Sequence, residues 1–429
     1  MDTIFAVSSG VPPAAIAVLR LSGPGACEAV RSLGGALPEA RRAGLRALRD
    51  PADGELLDRA LVLCFPAPDS ATGEDIVELH LHGGRAVVRA VERCLAAIPG
   101  LRPADAGEFT RRALLNGRLD LSEAEGLGDL LMAETEAQRR TALRSAEGGV
   151  RREVEGWNGE LLAVAAQVEA LLDHSDEDDV AGGAGSEATL RDAASSLGAR
   201  LAATLAQPPV ERLRDGLRVV LAGPRNAGKS TLLNALAGRE AAIVSSLAGT
   251  TRDRIEVPIV RDGVAYLLID TAGLADSTGD AIEAIGISRA RDAMQEADIL
   301  VWLGDDAPPG HPCPIWVHAR ADEAGREQSG AKDVAISVHS GEGVRAFWDL
   351  LSEASRHLLP PPDAVALNGR QRALVGQAEA ALRRAAEQSD LLLMAEELRS
   401  ARRAFDAITG RSGVEAMLDS LFARFCIGK

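Results

Sequence analysis

Four residues with a fixed spacing, Gly223, Gly228, Lys229 and Ser230, carry the pattern G-x-x-x-x-G-K-S. The chemistry of that pattern is phosphate binding. Glycines let backbone N–H groups close around phosphate oxygens, the lysine offsets charge on the β- and γ-phosphates, and the serine hydroxyl suits Mg²⁺. Asp270 follows an apolar run and precedes Thr271, Ala272 and Gly273. A carboxylate there can hold Mg²⁺ through water, and the Gly273 N–H can meet a γ-phosphate. Between the two segments lie Gly249, Thr250 and Thr251, and the Thr251 hydroxyl is expected to complete the Mg²⁺ shell only when the γ-phosphate is present. In this order and at these separations, the three segments read as the switch module of a P-loop NTPase.

A further segment bears on the base. A strand-like run ends in Ala319, Arg320, Ala321 and Asp322, where guanine-selecting loops carry Asn-Lys-x-Asp. Asp322 can accept the N1 and N2 donors of guanine, a charge-assisted pairing of roughly 1.5–3 kcal/mol. The usual Asn and Lys are Ala319 and Arg320, and the later Ser-Ala-Lys turn is Ser337, Val338 and His339. GTP is the favoured ligand, and the competing reading is that guanine selection has weakened or gone. Leu274 stands after Gly273, where Ras-like proteins use Gln to orient the attacking water. A leucine cannot do so, which makes Glu283, in the next helical stretch, one candidate. As a residue type alone it reads rather as a solvated helix position.

These groups need elements to hold them. Leu217–Ala222 reads as a buried strand, and the run from Thr231 to Leu236 as a starting helix whose dipole favours the same anion. Around this core, residues 211–360 alternate strands and helices, with a hairpin turning at Asp262 and Gly263 and strand candidates at Ile299–Leu303 and Ile315–His318. The expected fold is an α/β P-loop GTPase (Ras-like) domain, inserted in a discontinuous α-helical domain formed by residues 119–210 and 361–429. Residues 1–118 read as an α+β N-terminal domain, with strands at Ile16–Leu21, Ala60–Phe65 and Ile76–His82 and an amphipathic helix at Arg85–Ala97. The acidic run Asp173–Asp179, with Val180 to Gly185 after it, reads as a loop. It lacks the ordered ligand spacing of an EF-hand.

Bulk properties narrow the partners. Apolar residues make up 46% of the 429 but aromatics only 3%, so the cores are built of Ala, Leu and Val, a composition that favours helices. A net charge of −16 argues against a broad basic face, so an RNA would have to meet a local patch or a second subunit. The cysteines, Cys27, Cys64, Cys94, Cys313 and Cys426, are odd in number and show no C-x-x-C. They read as reduced thiols, and with no signal-peptide features the expectation is a cytoplasmic protein. The apolar helical stretch Leu161–Leu172 is interrupted by Gln167 and Glu169 and is too short for a bilayer, so no membrane is expected.

Thr72–Glu78, His82 with Gly83 and Gly84, Gly107–Arg112, Asn116–Asp120 and the terminal Cys426-Ile427-Gly428-Lys429 complete a pattern. With them the chain resembles the MnmE (TrmE) family of tRNA-modification GTPases over essentially its whole length. The resemblance implies a homodimer that works with the FAD-dependent flavoprotein MnmG on C5 of the wobble uridine of tRNA. The product carries an aminomethyl or carboxymethylaminomethyl group, and the one-carbon unit comes from 5-formyl- or 5,10-methylene-tetrahydrofolate. It implies folate contacts at Arg20, Glu78, Arg118 and Lys429. It implies Mg²⁺ at Ser230 and Thr251, and K⁺ held by Asn226, Ser245, Leu247 and Thr250 in place of an arginine finger.

The nucleotide would touch Asn226, Ala227, Gly228, Lys229, Ser230 and Thr231, then Ser245, Ser246, Leu247, Ala248, Gly249, Thr250 and Thr251. Further on it would touch Asp270, Thr271, Ala272 and Gly273, and finally Asp322, Ser337, Val338 and His339. Lys229, Thr251 and Glu283 are the implied catalytic residues. Cys426 is either an activated thiolate or an inert packed thiol. Two other functions compete: a ribosome- or RNA-assembly switch GTPase, and a scaffold in which nucleotide binding has decayed.

Overall fold

The computed structural model describes residues 2–173, 183–240, 255–271, 280–323, 326, 330–411, 422 and 428, with the backbone alone described for 183–186, 239–240, 255 and 280–287. The chain divides into two compact units, one of residues 1–128, 145–154 and 405–429, the other of 129–144 and 155–404.

In the first unit a six-stranded sheet is built from β1 (Thr3–Val7), β2 (Ile16–Ser22), β3 (Gly44–Arg49), β4 (Leu56–Phe65), β5 (Ile76–His82) and β6 (Leu101–Pro103), in the order β3-β4-β5-β2-β1-β6. Side chains alternate across a strand. Ala17, Leu19 and Leu21 of β2 and Val77, Leu79 and Leu81 of β5 therefore share one buried face. Helices α1 (Ala26–Gly34) and α2 (Arg85–Ala96) cover it, with Ala26, Ala29, Val30 and Leu33 of α1 and Val88, Val91 and Leu95 of α2 at helical spacing. Arg20, Glu78, His80 and His82 alternate with those positions and so lie on the opposite face.

Beside this sheet, α3 (Glu108–Leu115) carries Arg112, which is 9% exposed. Its guanidinium donates to the Asp2 carbonyl and carboxylate at 2.9 and 2.8 Å, to Glu108 Oε1 at 3.0 Å and to both Glu74 oxygens at 3.2 Å. Strands β1, β3 and β6 are not marked by the sequence pattern. β6 has three residues, and β3, Gly-Leu-Arg-Ala-Leu-Arg, is half exposed and charged, so neither carries a clear two-residue period.

Helices α4 (Leu121–Met132), α5 (Glu136–Ala146) and α6 (Gly149–Asp173) follow. In the second unit, α7 (Gly183–Leu205) starts inside the glycine run that reads as a loop in the sequence, while residues 174–182 lie outside the described residues. N–H groups of a helix's first turn have no intrahelical partner, so the poor helix propensity of glycine matters least there. After the short α8 (Glu211–Arg214) comes the second sheet. Its strands are β7 (Leu217–Ala222), β8 (Ile255–Arg261), β9 (Val264–Asp270), β10 (Ile299–Trp302), β11 (Pro314–Ala319) and β12 (Val334–Ile336), in the order β12-β11-β10-β7-β9-β8.

All pairings in this sheet are parallel except β8 with β9. That hairpin turns at Asp262 and Gly263, both at positive φ (50° and 79°), as its Asp-Gly sequence requires. Helices α9 (Lys229–Glu240), α10 (Asp280–Gln295) and α11 (Val344–Leu358) belong to the same region. Two long helices follow, α12 (Gly369–Glu387) and α13 (Leu391–Thr409).

A capping box starts α12, with Asn368 Oδ1 accepting from the Gln371 N–H at 2.9 Å and Gln371 Oε1 from the Asn368 N–H at 3.1 Å. α12 packs along α7. Leu190, Ala194, Leu197 and Leu201 on one helix and Val375, Ala378, Leu382 and Ala385 on the other are buried at alternating three- and four-residue steps. Among the described residues no helix is long and apolar enough to cross a membrane.

Candidate functional site

β7 lies at the centre of its sheet, and the chain reaches β9 on one side of it and β10 on the other. Reversal of strand order at that point opens a crevice beyond the carboxyl end of β7. The phosphate loop fills this position, between β7 and α9. Gly223 and Gly228 take φ of 147° and 95°, and Asn226 takes 61°. Positive φ is costly for L-residues and least so for Gly and Asn, which accounts for the residue types here. Asn226 is exposed. Lys229 is 7% exposed, and its Nζ donates to the carbonyls of Gly223 at 3.0 Å and Pro224 at 2.9 Å. The ammonium is thus folded back over the loop, held by two neutral acceptors.

Asp270 ends β9, opposite Leu221 in the parallel register with β7. It is fully buried, and the Ser230 hydroxyl donates to its Oδ2. Thr271 is tied to the same strand end, its hydroxyl donating to the Leu221 carbonyl at 2.9 Å. A hydroxyl and a carboxylate converging at the foot of a phosphate loop are hard oxygen donors of the kind Mg²⁺ takes. The structure therefore brings together Asn226, Ala227, Gly228, Lys229, Ser230, Thr231, Asp270 and Thr271. Ser245–Thr251, Ala272 and Gly273 lie outside the described residues, as does the side chain of Glu283. Of the four residues expected to hold potassium only Asn226 is described.

The segments expected to read the base also converge. β11 and β12 pair in parallel, so the residues after each emerge side by side. A hydrogen bond from Ser337 and one from its own backbone N–H hold the exposed Asp322 carboxyl below the usual carboxylate range. Ser337 is fully buried, and its hydroxyl also accepts the Ser340 N–H at 3.1 Å. Arg320 adopts φ of 56°, and its Cγ would lie 3.9 Å from a Cβ placed on Gly228. The stem of the residue that replaces the usual lysine therefore rests over the phosphate loop. Sequence reasoning registers Arg320 only as a departure from a pattern, because that contact joins positions 92 residues apart.

On the open face of the N-terminal sheet, Arg20 and Glu78 are cross-strand partners. Arg20 Nε and Nη2 both donate to Glu78 Oε1, at 3.0 and 2.8 Å. Their side chains keep 26% and 16% of their surface exposed, and the Phe109 ring lies 5.9 Å from the guanidinium carbon. No hydrogen bond reaches Glu78 Oε2 among the described residues. His82, farther along β5, is clamped by Asp58, whose carboxylate takes the His82 N–H at 2.8 Å and contacts Nδ1 at 2.7 Å.

Arg118 is exposed, its stem beside Gly73. Lys429 and Cys426 lie outside the described residues, while Gly428 accepts a hydrogen bond from the Ser8 hydroxyl at 2.7 Å. A free carboxylate oxygen beside a partly exposed guanidinium suits a pterin, whose edge offers N–H donors and whose tail carries carboxylates. Burial pushes the thiols of Cys64 and Cys94 up to about 11 and raises those of Cys27 and Cys313. None of these four is an activated nucleophile.

Comparison with known proteins bears on both sites. A family model described as the GTP-binding protein TrmE N-terminus matches residues 3–118, and one described as the MnmE helical domain matches residues 121–426. A tRNA modification GTPase MnmE of Rhizorhabdus wittichii is 56% identical over 433 residues, covering 100% of this chain and 97% of that protein. Proteins with the same description from Erythrobacter litoralis and Novosphingobium aromaticivorans are 54% and 53% identical, each with 100% of both chains covered.

Proposed function

The chain belongs to the MnmE family of tRNA modification GTPases, and we propose that it hydrolyses GTP as a subunit of the complex that modifies C5 of the wobble uridine. The observation that carries this is the phosphate loop, with Lys229 folded over the Gly223 carbonyl and Ser230 bonded to Asp270 at the strand end. GTP enters with its phosphates in the loop, where backbone N–H groups and Lys229 offset charge on the β- and γ-oxygens. Ser230, with Asp270 and Thr251, would hold Mg²⁺, and Asn226, Ser245, Leu247 and Thr250 would hold K⁺. Bound there, the two cations offset the charge that develops on the transferring phosphoryl group. Glu283 would orient the attacking water in place of Leu274. Arg20, Glu78, Arg118 and Lys429 would bind the reduced folate that supplies the one-carbon unit. The nucleotide domain is taken as residues 211–360, within a helical domain of residues 119–210 and 361–429. A homodimer, the flavoprotein MnmG and tRNA are the partners.

The experiment is nucleoside analysis of tRNA from a strain lacking this protein, with GTP turnover of the purified protein measured in KCl and in NaCl. Loss of the C5 substituent from wobble uridine, and faster turnover in KCl, are expected. Unchanged wobble uridines would reject the tRNA role, and equal rates in the two salts would remove the potassium site.

Guanine is read by Asp322 and the Ser337 turn. Asp322→Asn exchanges an ionised acceptor pair for one acceptor and one donor, and is expected to weaken GTP about 10- to 150-fold, the worth of a charge-assisted hydrogen bond. Xanthine carries a carbonyl where guanine carries the amino group, so XTP should bind the variant better than GTP. Fluorescence titration with labelled nucleotides measures both, and an unchanged GTP affinity would mean that the base is read elsewhere.

A further inference from the structure

β5 places His80 two residues beyond Glu78 on the open sheet face. Glu78 Oε1 is taken twice by Arg20. Its Oε2 lies 3.5 Å from His80 Nε2. That nitrogen is sealed from solvent and has no hydrogen-bond partner. Buried side-chain nitrogens without partners are few in folded proteins, because each forfeits the water it left behind. The cross-strand neighbours of His80 are Val18 and Leu61, which offer it no side-chain acceptor. The free oxygen of Glu78 is the carboxylate acceptor set beside it, a small side-chain rotation away.

We propose that His80 is a positioning residue that fixes the Glu78 carboxylate for reading the donor edge of a pterin. With the proton on Nε2, His80 donates to Oε2 while Arg20 donates to Oε1. The carboxylate is then gripped from two sides, one by the neighbouring strand and one by its own. A carboxylate so held needs no reordering when a ligand presents adjacent N–H groups, and preorganisation of this kind raises affinity. His80 acts through Glu78 and makes no ligand contact itself. The proposal rests on the reading above that a reduced folate binds at Arg20 and Glu78.

The test is calorimetric titration of the full-length protein with 5-formyltetrahydrofolate, beside the melting temperature of each variant. His80→Leu removes the donor and is expected to weaken binding about tenfold, the scale of one net hydrogen bond. His80→Gln puts an amide N–H at the same reach as Nε2 and is expected to stay within about threefold of the parent, whereas His80→Asn, one bond shorter, should lose as much as the leucine. If the leucine variant fails to fold, the Gln and Asn pair carries the test. Parent-like binding by His80→Leu or His80→Asn, losses by Gln equal to those by Asn, or losses that simply follow melting temperature would each overturn the proposal. Absence of binding by the parent protein would instead defeat the folate reading, and the role of His80 with it.

Discussion

Lys229→Ala should lower kcat/KM for GTP by about 10²- to 10³-fold, the loss seen when one preorganised charge-stabilising donor is removed from an active site. Lys229 is well suited to such a role. It opens α9 directly after the glycines of the loop, it is almost wholly buried, and its ammonium donates to two carbonyls of the loop. Phosphate oxygens are stronger acceptors than those neutral carbonyls and can displace them from the ammonium. Lys229→Arg is not a rescue, because a planar fork does not fit where a compact ammonium sits. Steady-state phosphate release at saturating and sub-saturating GTP measures the effect. A variant within tenfold of the parent would show that charge at the loop is supplied by another group.

The second large effect concerns stability. Arg112→Met should destabilise the unit that holds the N-terminal sheet by about 3–5 kcal/mol, the usual result of removing one member of a buried ionic cluster. The methionine fills the space but removes the guanidinium that pairs Glu74 and shares Glu108 with Arg102, both carboxylates having only 11% of the side chain exposed. The cluster also has a pH signature. Burial pushes the Glu108 carboxyl up, but hydrogen bonds from Arg102, the Asp105 N–H and Arg112 outweigh it and hold the group below its ordinary range. Hydrogen bonding to Arg102 lowers Asp2 in the same sense.

A depressed folded-state pKa contributes stability that is complete above the unfolded value, about 4.3 for Glu. That stability is lost as pH falls through the folded value. Denaturant melts of the parent should therefore weaken on acidification below about pH 4, and Arg112→Met should flatten that dependence. A variant as stable as the parent, with the same acid limb, would remove the cluster from the account of this fold.

Both sites are partly legible in the sequence. The phosphate loop is, because its chemistry lies within eight consecutive residues and its context within one strand and one helix. The β8–β9 hairpin is, because a two-residue turn with both φ positive admits few sequences and Asp262-Gly263 is one of them. Arg20 and Glu78 can be named only through the family pattern. Nothing local says that positions 58 residues apart sit opposite each other in a sheet. His80 reads as one strand residue among several, since its meaning depends on which oxygen of Glu78 Arg20 leaves free.

Local rules thus determined the phosphate-binding chemistry, the alternation of strands and helices around it and the helical flanks. Each depends on residues close in sequence, where backbone geometry and hydrophobic period act directly. Strand order decided the rest. Placing β9 and β10 on either side of β7 carried Asp270 to Ser230, and parallel β11 and β12 carried Asp322 to Ser337. Antiparallel β2 and β5 set Arg20 against Glu78 and left His80 beside it. Those pairings are made across 15 to 58 residues of chain by register and packing of whole elements, and no short stretch of sequence carries that information.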